Sequence, residues 1–342
     1  MKHKNLIVLV AISFILLSCN EKGPTEVPPD QGIREIHIYN IQDNKDITLT
    51  SEVGRVNSFD FIDNTSVYFT NIYSYGIPAY GYVFAETVNK FSLDSQSSSV
   101  LYNAPTYINC LNNASTNSFV LETDGDIYNL GIDGAVVTNL TNSTIHETAG
   151  VLDNISNDLF VGTKDSENNQ IYKRNLLTNR KTVLIDNNLN YLFPLFLNQD
   201  KSKLIYFEQN MVPAPNRGYI KVIDIQNPNN KVTLAECSIT ALLNSEMSDD
   251  DKLVYCSDGR IYLINLLNSN LELIAYGNSV DISKDGSQIV YSNDERMIYL
   301  HSLLSNERYL LTSGNLAHAY SPKFSPDGQK IIYITSDFNI YE

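Results

Sequence analysis

Several residue types are scarce in this sequence, and each scarcity limits what the protein does. Its 342 residues include no tryptophan and only four cysteines, and 24 lysine and arginine residues stand against 39 aspartate and glutamate residues, for a formal net charge of −15. Nucleic-acid binding and docking on anionic lipid both need clustered basic residues. The composition therefore argues against nucleic acid as a partner and against membrane attachment through charge.

Long apolar runs are also missing, except for one at the N-terminus. It extends from Leu6 to Leu17 and follows the basic residues Lys2 and Lys4. A secretory signal peptide has a basic start, an apolar run of about 7–15 residues and a small residue before the cleavage site. The run is shorter than the roughly 20 residues of a membrane-spanning helix. Removal of residues 1–18 takes away both lysines and changes the formal charge to −17.

The end of this leader, Leu16-Leu17-Ser18-Cys19, resembles the lipobox of bacterial lipoproteins. That resemblance implies lipid on Cys19 and attachment to a membrane through it. Because Asn20 rather than aspartate follows, it also implies the outer membrane, with the protein facing either the periplasm or the cell surface. Residues 19–32 are rich in proline, glycine and charge, which predicts a flexible tether ahead of one folded domain, residues 33–342.

Lipid on Cys19 leaves three cysteines, Cys110, Cys237 and Cys256, and an odd number excludes complete intramolecular pairing. Export permits a disulfide, for which Cys237 and Cys256 are the best pair, and the alternative is three buried thiols that act as small apolar residues. No Cys/His spacing indicates zinc, so we expect neither a metal site nor a cofactor.

A repeated hairpin dominates the rest of the chain. Its best copy is Ser325-Pro326-Asp327-Gly328 followed by the apolar run Ile331 to Ile334, a turn and strand in which proline, aspartate and glycine each favour the turn conformation. Weaker copies are centred on Asp63, Asn112, Asn154, Asp200, Asp250 and Asp285. The spacing of roughly 35–50 residues is typical of a four-stranded propeller blade.

We therefore predict an all-β protein, a β-propeller of seven four-stranded blades, with six or eight blades as the alternatives. The chain ends at the third strand of its last unit, Ile340-Tyr341, so one N-terminal strand, from Ile36–Ile41 or Asp46–Thr50, is expected to close the ring. The best repeat, Leu311 to Thr335, resembles the TolB-type propeller repeat, which also occurs in relatives of prolyl oligopeptidase. In that family the repeat is scaffold, so it implies fold rather than function.

No catalytic motif stands out. There is no GxSxG, P-loop or HExxH sequence, and the tryptophans with which quinone-cofactor propellers dock their blades are absent. Ligands of propellers usually bind on the face that carries the linkers between blades. Candidate residues for that face are the linker histidines His146 and His318 and residues of two predicted loop insertions, namely Tyr73, Tyr75, Tyr80 and Arg217.

These observations predict a monomeric, non-catalytic binding module for an envelope protein or a glycan. The alternative is a lyase or hydrolase that acts on glycans at the channel face, with or without a divalent metal. A third hypothesis is a role in assembling an envelope complex, as for TolB.

Overall fold

The structure of the chain is a computed structural model. It describes residues 34–336 except 54, 78–80, 105–107, 116–117, 135–136, 165–168, 188, 211–215 and 313–318. The leader, Cys19 and the tether lie outside the described residues. Within these ranges the chain is mostly β-strand with almost no helix, and no helix is long and apolar enough to span a membrane.

Seven four-stranded antiparallel sheets form the blades of one β-propeller, which confirms the predicted fold. The described residues begin with two strands, β1 (Arg34–Asn40) and β2 (Lys45–Val53). Each of the next six blades consists of four consecutive strands, the first innermost. Blades 1 to 3 contain β3 (Arg55–Asp63), β4 (Ser66–Ile77), β5 (Gly81–Ser92), β6 (Ser97–Ala104), β7 (Ile108–Ser115), β8 (Ser118–Thr123), β9 (Asp126–Gly131), β10 (Val137–Asn139), β11 (Glu147–Asp153), β12 (Asp158–Thr163), β13 (Gln170–Asn175) and β14 (Lys181–Asp186).

The second half of the ring repeats this plan. Blades 4 to 6 contain β15 (Tyr191–Leu197), β16 (Lys203–Gln209), β17 (Arg217–Asp224), β18 (Lys231–Ser238), β19 (Ser245–Met247), β20 (Lys252–Ser257), β21 (Arg260–Asn265), β22 (Asn270–Tyr276), β23 (Ser279–Ile282), β24 (Gln288–Ser292), β25 (Ile298–Ser302) and β26 (Arg308–Leu310). One helical turn, α1 (Thr240–Leu243), connects blades 4 and 5. Blade 7 starts with β27 (Ala319–Phe324) and β28 (Lys330–Ser336).

The N-terminus closes the ring by completing blade 7. Its strand order is β27-β28-β1-β2, so two N-terminal strands take part where the sequence predicted one. Strand β1 occupies the third position, which the sequence assigned to Ile340-Tyr341, outside the described residues. Pairing runs without a break from Arg34 opposite Ser336 to Asn40 opposite Lys330. The long strand β28 therefore finds its partner at the other end of the chain.

A buried histidine holds this closing blade together. The His37 ring lies between the carboxylates of Asp46 and Glu35, at 3.2 Å from each, and its Nε2 is 3.1 Å from the hydroxyl of Thr335. The ring also stacks on Tyr333, whose hydroxyl donates to Asp46. These contacts join β1 and β2 to β28, which is the junction that makes the ring continuous.

The repeated turn forms as its sequence predicts. In blade 7 the Ser325 hydroxyl donates to Asp327 at 2.6 Å, the Gln329 N–H donates to the same oxygen at 3.0 Å, and Gly328 adopts a φ of +68°. Blade 5 lacks the glycine, and there Asp251 takes a φ of +62°. Aspartate tolerates this left-handed conformation better than most residues, so the turn survives without glycine.

Apolar side chains fill each seam between neighbouring blades. Seven clusters of buried residues occur in the described structure, one for each seam. The second strands contribute a tyrosine at the same position in four blades, and all four are buried: Tyr206, Tyr255, Tyr291 and Tyr333. The core therefore consists of seven seams arranged in a ring. Each blade buries its apolar side chains against both of its neighbours.

The two described cysteine side chains are buried free thiols. Cys237 lies in β18 and Cys256 in β20, and neither forms a disulfide. Burial raises the pKa of Cys237 to about 12 and that of Cys256 to about 11. Thiols in this state are unreactive near neutral pH, which agrees with the apolar role considered for them.

Candidate functional site

The innermost strands surround a central channel with a cavity of 1090 Å³. Its walls are residues of β3, β11, β15, β19, β23 and β27, and its mouths are formed by the turns and linkers at the strand ends. Linkers between blades and turns between second and third strands share one mouth, which we call the linker face. The other turns make the opposite side, the turn face. A concave site of this size that opens on the linker face is the first candidate for a binding site.

Four neighbouring blades place a charged residue at the same level of the channel. Asp60, Glu246, Asp281 and Lys323 each pair with the equivalent residue of their second strand, namely Tyr68, Val254, Val290 and Ile332. These four residues, from blades 1, 5, 6 and 7, are called the charged rung below. In the other three blades the same level is occupied by Asn112, Val151 and Phe196. The channel therefore has a charged half and a mainly apolar half.

Burial governs the electrostatics of the charged rung. The Lys323 ammonium of blade 7 forms an ion pair with Glu246 of blade 5. Burial lowers the pKa of Lys323 and raises that of Asp60, and the attraction between these two residues opposes both shifts. Burial also raises the pKa of Asp281, and repulsion from Asp60 raises it further. The rung therefore holds more carboxyl groups than its single cation neutralises, and the pKa values of Asp60 and Asp281 lie above the usual carboxylate value.

Asp281 also connects two blades. Its Oδ2 accepts a hydrogen bond from the backbone N–H of Phe324 at 2.6 Å, and its Oδ1 accepts one from the N–H of Ile282 at 2.8 Å. Phe324 belongs to blade 7 and Ile282 to blade 6. The side chain is almost completely buried. Asp281 thus fixes the inner strand of blade 7 against that of blade 6, next to the channel.

The apolar half of the channel comes from blades 3 and 4. Phe193, Leu195 and Phe196 of β15 line the cavity and are only partly buried, and Val151 of β11 lines it beside them. Large apolar side chains that line an open cavity usually mark a contact surface for a ligand or a partner. An occupant with an apolar part and a basic group would match both halves of the channel.

Of the residues predicted for the linker face, His146 lies where the sequence placed it. It is exposed in the linker between β10 and β11, and it lines the channel mouth. Its neighbour Glu147 is buried, and the hydroxyls of Tyr172 and Ser143 donate to its Oε1 at 2.9 Å each. Burial raises the pKa of Glu147, and these hydrogen bonds oppose that shift. The arrangement joins blades 2 and 3 and does not expose Glu147 to the channel.

The other predicted site residues fall elsewhere. Tyr73 and Tyr75 belong to the 12-residue strand β4, opposite Ala85 and Val83, and not to a loop, because the aromatic and β-branched residues of this hairpin extend the strands. Arg217 starts β17, also outside a loop, and its guanidinium pairs with Asp258 at 2.7 Å and Glu236 at 3.7 Å. Tyr80 and His318 lie outside the described residues.

Sequence reasoning missed the charged rung, although a signal for it was present. In blades 5 to 7 a charged residue stands two positions before the turn serine, as in Glu246-Met247-Ser248, Asp281-Ile282-Ser283 and Lys323-Phe324-Ser325. A charge in phase with the repeat, inside an otherwise apolar inner strand, indicates a shared environment. In a propeller, residues at the same position of different inner strands have one common environment, which is the channel.

No protein-family model matches the sequence, and no curated protein matches it. Solved structures do resemble the fold. A TolB candidate from Agrobacterium tumefaciens is 12% identical, with a TM-score of 0.50 over 90% of this chain and 99% of the other. The chain has a TolB-like propeller fold. The oligogalacturonate lyase from Vibrio parahaemolyticus is also 12% identical, with a TM-score of 0.54 over 85% of this chain and 100% of the other.

An oligogalacturonate lyase in complex with manganese is similar to the same degree, with 12% identity and a TM-score of 0.53 over 83% of this chain and 98% of the other. At such identities the likeness shows the fold alone. In the part of the chain that the structure describes, no three His, Cys, Asp or Glu side chains are grouped to hold a metal ion. The described residues therefore do not fit a manganese site.

Proposed function

We propose that this chain is an exported binding protein, held on the outer membrane by lipid on Cys19, whose channel receives an extended segment of an envelope protein. The division of the channel into a charged and an apolar half is the observation that carries the proposal. The cavity of 1090 Å³ is at or above the upper end of the range of about 300–1,000 Å³ that small-molecule pockets occupy. A protein segment with one apolar and one basic side chain would fill it and satisfy both halves.

The chemistry of the rung favours a basic side chain in particular. Asp60 and Glu246 line the channel together with Lys323, so an arriving ammonium or guanidinium group finds a second carboxyl group besides the one that Lys323 pairs with. A segment that lies along β15 would bury the partly exposed rings of Phe193 and Phe196. Burial of apolar surface supplies affinity, and the rung supplies specificity.

The anchor is tested by changing one residue. We expect Cys19→Ala to move the protein from the membrane fraction to the soluble fraction of the envelope, because a charge of −17 gives no electrostatic attachment. Fractionation followed by immunoblotting measures the distribution. Cys237→Ala changes a buried thiol and should leave the protein on the membrane. An unchanged distribution for Cys19→Ala would exclude the lipid anchor.

Site-specific crosslinking tests the channel. We expect a photoreactive phenylalanine at Phe196 of the full-length protein, in living cells, to capture a specific envelope protein. The same group at Ile47, an exposed position of the outermost strand β2, is the control. Adding Glu246→Gln should reduce capture from Phe196 by about tenfold, because one charged partner of the basic side chain is lost.

Two results would contradict this function. Capture of the same proteins from Phe196 and from Ile47 would mean that the channel has no selective occupant. Turnover of a polysaccharide by the purified protein, lost on replacement of His146, would favour the alternative, an enzyme acting on glycans at the channel face. His146 at the channel mouth is the observation that supports that alternative.

A further inference from the structure

A second cavity, of 680 Å³, lies between blades 5 and 6 on the turn face, away from the linker face that carries His146. Turns between first and second strands contribute Asp250 and Asp285, and turns between third and fourth strands contribute Asn268 and Leu304. The cavity is within the size range of small-molecule pockets, about 300–1,000 Å³. Nothing in the proposed channel function uses it.

A buried histidine supplies a donor to this cavity. His301 is 3% exposed and lines the wall on the blade 6 side. Its Nδ1 accepts a hydrogen bond from Nε of Arg308 at 3.4 Å, so the ring proton is on Nε2. Burial lowers the pKa of His301, Arg308 lowers it further, and Glu272 partly opposes them. At neutral pH the ring is therefore uncharged, and within the described structure its Nε2–H has no protein acceptor.

The wall on the blade 5 side adds acceptors and further donors. Glu272 is exposed, lines the cavity and lies close enough to His301 to affect its pKa. The side-chain oxygens of Asn265 and Asn268 accept backbone N–H groups of their own turn, at 2.9 Å each. Among the described hydrogen bonds none uses the NH₂ groups of these two amides, so both are available as donors.

An exposed leucine forms one edge of the cavity. Leu304 is 88% exposed, at a position of the turn where blades 1, 4 and 7 have Asp94, Gln226 and Gln42. The preceding residue of each turn donates the same backbone hydrogen bond, which establishes that these positions are equivalent. A polar residue is therefore compatible with the turn, and the leucine is not needed to form it. It places an apolar surface beside a group of hydrogen-bond donors and acceptors.

We propose that this cavity binds a neutral sugar, as a monosaccharide unit or the end of a glycan. A sugar hydroxyl both donates and accepts, so it can use the donors of His301 and the amides together with the acceptor Glu272. The apolar face of a sugar ring can lie on Leu304. An anionic sugar meets the carboxylates of Glu272, Asp285 and Asp250. The one lysine nearby, Lys252, is bound to Asp250 at 2.7 Å and to the Gly286 carbonyl at 2.9 Å.

A cationic ligand fits the cavity less well. It would use the carboxylates but leave the His301 and amide donors without acceptors, and buried donors without acceptors are costly. It would also meet the positive charges of Lys252 and Arg308. The proposal is independent of the channel, because the two cavities share no residue.

Titration of the full mature protein with simple sugars tests the site. The probes are the methyl glycosides of glucose, galactose, mannose and N-acetylglucosamine, with galacturonic acid as the anionic probe and glucosamine as the cationic probe. Saturation-transfer NMR identifies binding, and calorimetry measures the dissociation constant. We expect saturable binding of at least one neutral glycoside and much weaker binding of both charged probes.

Two variants locate the binding, and both replace exposed residues, so folding should be unaffected. Glu272→Ala should weaken binding about tenfold, by loss of a charged acceptor, and Leu304→Ala about threefold or more. The matched control is Leu177→Ala, which changes the equivalent turn leucine of blade 3, exposed to 78% and distant from the cavity. Absence of binding by all neutral probes, stronger binding of a charged probe, or equal effects of Leu304→Ala and Leu177→Ala would each overturn the proposal.

Discussion

Alanine at both Ile36 and Ile38 should open the propeller ring and leave the protein close to unfolding. These side chains, 1% and 4% exposed, pack from β1 into the seam between blades 7 and 1. Replacing a buried isoleucine by alanine costs about 2–5 kcal/mol, and a protein has only about 5–15 kcal/mol of stability. Urea denaturation followed by tyrosine fluorescence measures the effect without interference, because the chain has 22 tyrosines and no tryptophan.

A matched substitution in the same hairpin controls for the change of residue type. Ile47 belongs to β2 and is 42% exposed, so Ile47→Ala should change the free energy of unfolding by about 0.5 kcal/mol or less. If the double variant were as stable as Ile47→Ala, the N-terminal strands would not be responsible for closing the ring.

Asp281→Ala should strongly destabilise the junction between the inner strands of blades 6 and 7. It removes the acceptor for the N–H groups of Phe324 and Ile282, and each buried donor without an acceptor costs about 1–3 kcal/mol. We therefore expect a loss of about 2–5 kcal/mol in the free energy of unfolding, measured by urea denaturation. Relief of the repulsion from Asp60 makes the loss smaller than the two hydrogen bonds alone would suggest.

The pH dependence separates the hydrogen bonds of Asp281 from its charge. Burial and Asp60 raise the pKa of Asp281 in the folded state, so the folded protein favours the protonated form. Its contribution to stability is therefore largest below the unfolded pKa of about 3.9 and falls as the pH rises towards the folded pKa. Asp281→Asn does not titrate, so the stability of the wild type relative to this variant should decrease from pH 4 to pH 7. An increase over that range would contradict the raised pKa.

Local sequence predicted the blades because each turn is specified by residues next to one another. Serine, aspartate and a residue with positive φ are enough to form the turn at Ser325–Gly328, and the buried tyrosine of the following strand confirms the register. Blade 5 was recognised even without the glycine, because Asp251 takes its place. Information of this kind is contained in about ten consecutive residues.

The parts that were not predicted depend on residues distant in the chain. Hydrophobic patterning cannot say that β1 pairs with β28, and so it could not distinguish one N-terminal strand from two. It also could not say whether a charge in an inner strand faces the channel. The turn-face cavity combines His301 of blade 6 with Glu272 of blade 5. Such sites exist only once neighbouring blades have packed together.

The closing blade also sets the order in which the protein can fold. His37 contacts Thr335 across a separation of 298 residues, so β1 remains without this partner until β28 has been synthesised. Contacts of such long range make folding slow, because a large loop must close before they form. Until then the seam into which Ile36 and Ile38 pack has not formed. A chain built in this way cannot complete its ring until strand β28 has been synthesised.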